Sequence, residues 1–547
     1  MNMDKNKKLK IVAISLAAVI AVAGMFAMFG GPSSGGTANT DENSVAAPSH
    51  KVYMSENYID ALPDNPFVLV RIPADRLLDK SELLKNDKLT KVYSNFKDIL
   101  PEKLQENLDS FLVNPSTSGL DFSKPLYAGM YSGDSLSCVI TASVSDKIRF
   151  MDFMNSFITE YDYSIEEQGN GLCYILDPEG ERYKEVVFDS KSLLYAPDGD
   201  AMLFVKEGGS SLSTDSAYCH VFEADNDIAF TINVGGVVAE VGDSLPSDIA
   251  GKAITRLMQG SVINGRADFV NGAADMVVDM NMLPEYKGIQ KFVKGGNGKN
   301  LEYMPANSVA VFNFTTDMFA LYDMLPNLVD GLNSTEMLDK GLEMLGIDKS
   351  LLNSLSTEFT FAVLPAALVG EDYGPRFVLA VSAPDNMIFD LLVGVIGTSV
   401  LEKVTDNVYA LGLNEYMKEN ADGSSQVLKA GFDYCIAYKN GTIFFLPQDV
   451  YNRNVALPYN NGSAWFNSFK GKEIALDYNR FRMANFDMPE ELMSILNMLK
   501  IETVTVEFDN MGQARIRLEA EENDENLLKT TADAFCAGFL NMMLMQE

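Results

Sequence analysis

The chain has 547 residues, 47% of them hydrophobic and 22% charged, which places it with globular proteins, and its length exceeds what one core usually spans. Its formal net charge is −33, and a surface of that sign repels phosphate backbones and anionic headgroups, so nucleic acid is not expected as a partner. Five widely spaced cysteines without a Cys-x-x-Cys pair, and only two histidines, His50 and His220, argue against a zinc framework and against multi-histidine metal sites; no metal and no cofactor is expected.

Residues 1–10 form a basic segment with Lys5, Lys7, Lys8 and Lys10. Residues 11–30 (IVAISLAAVIAVAGMFAMFG) are all apolar or small, long enough as a helix to cross about 30 Å of hydrocarbon. The lysines before this run put the N-terminus in the cytoplasm and the rest of the chain outside. A signal anchor is expected, because no clean Ala-x-Ala-like site follows Phe26. The competing reading is a cleaved signal peptide, which exports the body to the cell envelope. No cysteine lies between residues 1 and 137, which removes lipid attachment at a cysteine after the run. Residues 31–51 are rich in Gly, Ser, Pro and polar residues and read as a flexible linker.

From residue 52 the same signals occur twice, in the same order, in 52–297 and in 298–547. Leu62-Pro63-x-Asn65-x-Phe67-Val68-Leu69-Val70 matches Met304-Pro305-x-Asn307-x-Val309-Ala310-Val311-Phe312 as a turn entering a strand. Helical signal follows Asp75 and Asp317 and ends at Gly119-Leu120-Asp121 and Gly346-Ile347-Asp348, where glycine suits a left-handed cap. Strands from Ile140 and Leu379 lead to helices whose first turns carry Asp146 and Asp385, acids that complement the helix dipole, with Phe150 and Phe389 on equivalent faces. Phe188-Asp189 matches Phe432-Asp433, and each leads to a hairpin turn, Asp198-Gly199 and Asn440-Gly441. Ile228-Ala229 then matches Ile474-Ala475, and Leu245-Pro246 and Met488-Pro489 each open an amphipathic helix, with Ile249 and Leu492 inward. Asp268 to Gly272 matches Glu507 to Gly512 as a final hairpin.

The unbroken order predicts two tandem diverged copies of one unit, joined at a Gly295-Gly296-Asn297-Gly298 linker. Short alternating strands mixed with helices predict an α+β fold with mainly antiparallel sheets and packed helices. The segment from Asn526 to Met545 reads as a helix that packs on the last sheet through Leu528, Phe535, Phe539 and Met543.

No catalytic constellation stands out. Cys219 and His220, as neighbours in a strand, would point to opposite faces. Gly133-Asp134-Ser135-Leu136 and Gly242-Asp243-Ser244-Leu245 resemble the nucleophile block of a serine esterase family, but neither histidine has the Asp three residues earlier that such a base requires. The acidic clusters Asp198-Gly199-Asp200, Asp225-Asn226-Asp227 and Glu521 to Glu525 lack calcium-loop spacing and read as solvated turns. Nothing singles out a carboxylate pair for glycan hydrolysis among the 76 acids, and the 28 methionines leave open an adaptable groove for an apolar ligand.

Leu62 to Ile72, then a helix, then Asn114-Pro115-x-x-x-Gly119-Leu120-Asp121-x-x-x-Pro125-Leu126-Tyr127 resembles a family of Bacteroidetes envelope proteins catalogued as domain of unknown function family 4836. The likeness covers most of residues 55–547 and brings no catalytic residues with it. Members often carry a lipid-modified cysteine after the signal, which this chain lacks. The resemblance implies a periplasmic or cell-surface location. Within it, the expected protein is a non-enzymatic structural or ligand-binding one that meets the membrane through its N-terminal helix only and has a protein or glycan partner in the envelope. A hydrolase of envelope or dietary glycan and a carrier of an apolar ligand are the alternatives. The same resemblance makes Ser135, Ser216 and Ser244, each in an Asp-Ser-apolar tripeptide, candidates for O-glycosylation.

Overall fold

The structure is a computed structural model that describes residues 58–544 except 132–136, 159–161, 197–211, 213–214, 237–248, 329–333, 345–347, 398–400, 412–415, 420–424, 429–433, 454–473, 478–499 and some single residues and pairs. The apolar run at 11–30 lies outside the described residues, among which no helix is long and apolar enough to cross a membrane.

The first half contains β1 (Val68–Ile72), α1 (Ala74–Ser81), α2 (Asp87–Lys97), α3 (Glu102–Val113), β2 (Leu126–Tyr131), β3 (Ser137–Ser143) and α4 (Lys147–Ile158). There follow β4 (Ser164–Glu167), β5 (Cys173–Leu176), β6 (Arg182–Phe188), β7 (Ser192–Tyr195), α5 (Cys219–Glu223), β8 (Ile228–Asn233), α6 (Ile249–Met258), β9 (Val262–Val270) and β10 (Ala273–Asn281). All pairings are antiparallel, and they run β4-β5-β6-β7-β3-β2-β1-β8-β9-β10 across the sheet. β1 reads as a nearly continuous apolar run because it is central and covered on both faces.

After β11 (Val293–Gly295), the second half contains β12 (Ala310–Thr316), α7 (Met318–Leu328), α8 (Thr335–Met344), β13 (Glu358–Val369), β14 (Asp372–Ser382), α9 (Met387–Ile396), β15 (Leu401–Thr405) and β16 (Val408–Leu411). A separate hairpin, β17 (Tyr416–Glu419) with β18 (Ser425–Leu428), comes next. The half closes with β19 (Tyr434–Lys439), β20 (Thr442–Pro447), α10 (Gln448–Arg453), β21 (Ile474–Asp477), β22 (Ile501–Asn510), β23 (Gln513–Ala520) and α11 (Leu527–Leu544). Its order across the sheet is β15-β16-β19-β20-β14-β13-β12-β21-β22-β23, again antiparallel throughout. β10 pairs antiparallel with β23, so both halves share one 21-stranded sheet. The fold is α+β with mainly antiparallel pairing.

The ladders show which residues occupy corresponding places in the two orders. Val70 lies between Ala128 and Phe230, and Phe312 between Phe361 and Ile474. Ile140 lies between Ala128 and Tyr195, and Leu379 between Phe361 and Phe445. By this register Ile474 takes the place of Phe230 and not of Ile228, a displacement of two residues that leaves side-chain facing unchanged and is therefore invisible to an alternating pattern. The turn in the place of Asn440-Gly441 is Asp189 to Lys191, where Asp189 Oδ1 accepts from the Lys191 and Ser192 N–H groups at 2.7 and 2.8 Å. Asp198-Gly199, Phe432-Asp433, Gly346-Ile347, Asp385, Leu245-Pro246, Met488-Pro489 and Leu492 lie outside the described residues.

Phe150 of α4 and Phe389 of α9 are both buried against the sheet. Phe150 meets Phe188 edge-on at 4.9 Å, and Phe389 meets Tyr438, which holds the corresponding place on β19, at 5.7 Å.

The cores are not divided where the chain passes from one half to the other. Leu528, Ala532 and Cys536, one turn apart on α11, are buried in the first half's core with Leu77, Leu78 and Leu83. Asn86 bonds the Asp533 carboxylate, and Lys88 Nζ donates to the Asp533 carbonyl at 3.2 Å. Among the described side chains of the helix, Leu527 at its start sits on the last hairpin, with Ile501 and Ala520. The expected packing of the whole helix on the last sheet is thus corrected, and the side chains of Phe535, Phe539 and Met543 lie outside the described residues. In the other direction, Met282 and Ile289, which follow β10, pack with Met324 and Leu328 of α7. The glycine cluster expected to be a plain linker is built into the fold: β11 pairs with β12 and β22, and a Cβ on Gly296 would stand 2.2 Å from the Asn313 side chain.

Candidate functional site

Among the described residues, two acidic side chains are buried, Asp227 and Glu358, one in each half. In the first, Asp227 stands immediately before β8 with its side chain fully buried. Its Oδ2 accepts from Lys80 Nζ at 2.5 Å and from the Phe269 N–H at 2.7 Å, while its Oδ1 is buried without a hydrogen-bond partner. Asp268 supports the same corner, accepting from the Asp227 N–H at 3.1 Å and from Asn226 Nδ2 at 2.6 Å. Arg76, one turn before Lys80 on α1, bonds exposed Asp225 at 2.5 Å, and that bond raises the already high pKa of the guanidinium. Asp225-Asn226-Asp227 is therefore not a solvated turn: only Asp225 is in water, and Asp227 ties α1 to β8 and β9. The helix presents Arg76 and Lys80 four residues apart on one face, which is why both reach this corner.

In the second half, Glu358 opens β13 and is buried. The backbone N–H groups of Gly298, Lys299 and Asn300 donate to its carboxylate, yet burial outweighs them and holds its pKa above the ordinary carboxylate range. The Asn313 amide, oriented to satisfy its neighbours, donates to Glu358 Oε1 at 2.8 Å and to Thr360 Oγ1 at 2.7 Å and accepts from the Gly298 N–H at 3.2 Å. Asn300 Nδ2 donates to the Glu358 carbonyl at 3.2 Å, and the hydroxyls of Ser382 and Thr442 donate to Asn300 Oδ1 at 3.2 and 3.4 Å. In the corresponding places of the first half, Tyr58 Oη donates to the Pro125 carbonyl at 2.7 Å, and Arg71 faces Tyr127 across the ladder where Asn313 faces Thr360.

These groups close backbone and join elements; neither cluster presents a nucleophile beside a base. Cys219 and His220 lie on the short helix α5 and not in a strand. Cys219 is exposed, and His220 Nε2 stands 3.2 Å from the Gly265 carbonyl. Burial pushes the thiols of Cys435 and Cys536 up to about 12 and about 11, which leaves them as packing groups rather than nucleophiles. Among the described residues no three His, Cys, Asp or Glu side chains converge as metal ligands. Ser216 is exposed in a turn after Asp215, whereas His50, Ser135, Ser244 and the Asp198-Gly199-Asp200 cluster lie outside the described residues.

Sequence reasoning missed the burial of Asp227 and Glu358. Each directly adjoins an apolar strand, Ile228 to Ile232 and Phe359 to Leu364, and that position was the available signal. No protein-family model matches the chain, and no curated protein matches it. Among solved structures, crystal form III of TP0453 matches with a TM-score of 0.23 and 9% identity, covering 42% of this chain and 80% of that chain. Crystal form I of TP0453 matches with a TM-score of 0.22 and 8% identity over the same shares. Similarity at that level carries neither fold nor function to this chain.

Proposed function

We propose that this is a membrane-anchored extracytoplasmic protein, structural or ligand-binding rather than enzymatic, whose body consists of two diverged copies of one α+β unit. The apolar run at residues 11–30, preceded by four lysines, carries the anchoring and the side of the membrane. The reading as two copies is supported by the shared strand order, by the aromatic pairs Phe150–Phe188 and Phe389–Tyr438, and by Tyr58 and Asn300, which bond carbonyls at corresponding positions. A non-enzymatic role is supported by the contacts of Asp227 and Glu358, the buried carboxylates among the described residues, which bond backbone N–H groups and, for Asp227, Lys80.

Membrane fractionation tests the anchoring. The full chain should sediment with membranes and resist extraction by high salt, and a chain lacking residues 1–40 should be soluble. Recovery of the full-length product as soluble protein with a new N-terminus beyond Gly30 would establish a cleaved signal peptide instead. An experimental structure in which the two halves fail to superpose with Val70 on Phe312 would remove the reading as two copies.

A further inference from the structure

The seam between the halves carries a pattern of its own. β10 and β23 hold the same place in the two strand orders, and the ladder register makes Val277 correspond to Arg515. Those two residues also face each other across the seam, so a local two-fold axis passes between them, as in the interface of a symmetric homodimer. On the apolar face of the seam lie Met276 and Val278 opposite Ile516 and Ala514. The other face is charged and unsymmetrical. β10 contributes Asp275 and Asp279, and β23 contributes Gln513, Arg515 and Arg517. Arg517 Nη1 holds both oxygens of Asp275 at 2.7 and 2.9 Å, and Gln513 Nε2 donates to Asp279 Oδ1 at 2.5 Å.

Under the two-fold, Asp275 corresponds to Gln513 and Asp279 to Arg517. Pairing β10 with another β10 in this register would set Asp275 against Asp279 twice, and pairing β23 with another β23 would set Arg515 against Arg515. Like charges directly opposite each other destabilise a ladder, so only the mixed seam is free of them. From this we infer that the β10–β23 seam is a partner-selecting interface: the body is the fused counterpart of a two-fold dimer, and Asp275, Asp279, Arg515 and Arg517 specify pairing of unlike halves over pairing of like ones. The seam joins halves of one chain, with α11 and the segment after β10 reaching across it in opposite directions. The inference rests on the reading of the halves as diverged copies, which superposition tests separately.

Cross-linking in the full chain tests it. Facing antiparallel residues lie within disulfide reach, so Val278→Cys with Ala514→Cys, which face each other on the apolar side of the seam and leave the four charged residues in place, should form a disulfide within one chain in a Cys219→Ser background. In a thiol–disulfide buffer, adding Arg517→Asp should lower the effective concentration of the two thiols about fivefold, and adding Asp275→Arg to that variant should restore most of it. The inference is overturned if the cross-link joins two chains in the parent, or if Arg517→Asp leaves the effective concentration unchanged. A variant that fails to fold is replaced by Arg517→Gln, for which a smaller fall in the same direction is expected and no fall overturns the inference.

Discussion

At the start of the strand that follows the first helical segment, the two halves differ sharply in chemistry. The first half places Pro125 there, and the Tyr58 hydroxyl closes its carbonyl; the second places Glu358 there, and Asn300 closes the equivalent carbonyl while a glycine-bearing turn wraps the carboxylate. The backbone problem is the same, because a carbonyl buried at a strand end needs a donor. Different side chains meet that need as long as a donor is supplied. The buried acids are placed differently as well: among the described residues, Asp227 lies between α1 and β8 in the first half, and Glu358 lies at the join between the halves in the second.

A second contrast concerns the helices over the sheet. α3 covers α4, with the Phe111 and Phe153 rings 5.7 Å apart, whereas α9 leaves Leu391, Leu392 and Val395 exposed. Phe150→Ala and Phe389→Ala should each cost about 3–5 kcal/mol, since both rings are buried, with Phe150→Ala the larger by about 1 kcal/mol because α3 packs against α4 and hinders its collapse onto the sheet. Urea denaturation of the two variants measures this, and equal losses would mean that α9 is as firmly held as α4.

Asp227→Ala should cost about 2 kcal/mol, below the roughly 3–5 kcal/mol of a fully buried broken pair, since Lys80 is partly exposed and can rehydrate. Hydrogen exchange should then rise first in α1 and at the start of β8, and a rise confined to the second half would contradict the role given to Asp227. The smallest effect is expected at Glu358. Its pKa is raised in the folded chain, so the folded state holds the proton more tightly than the unfolded state does, and stability falls as pH rises from the unfolded carboxylate value through the folded one. Glu358→Gln removes that titration, so across the carboxylate range the stability of the variant should rise relative to that of the parent as the pH rises; a stability difference independent of pH would exclude Glu358 as a titrating group of the fold.

Much of the architecture is legible in the residues. The turn-to-strand signal at Pro63 and Pro305, the strands at Ile140 and Leu379 and the inward Phe150 and Phe389 come directly from local pattern, because chain turns and alternation are set within a few residues. Local pattern does not fix the register of β8 against β21, nor the turn that corresponds to Asn440-Gly441, since an alternating strand looks the same after a shift of two and Asp-rich turns recur by chance.

The sequence by itself determined the antiparallel α+β class, the repeated order of signals and the acidic surface, all properties of local composition and period. Only the tertiary structure decided that α11 completes the core of the first half, that Gly296 sits against Asn313, that Asp227 is buried against Lys80 and that Arg517 meets Asp275. The physical reason is range. Periodicity states that a helix has an apolar face or that a strand carries a charge, but which distant surface that face covers, and which charge is desolvated, depends on contacts between residues up to 447 positions apart, as for Asn86 and Asp533.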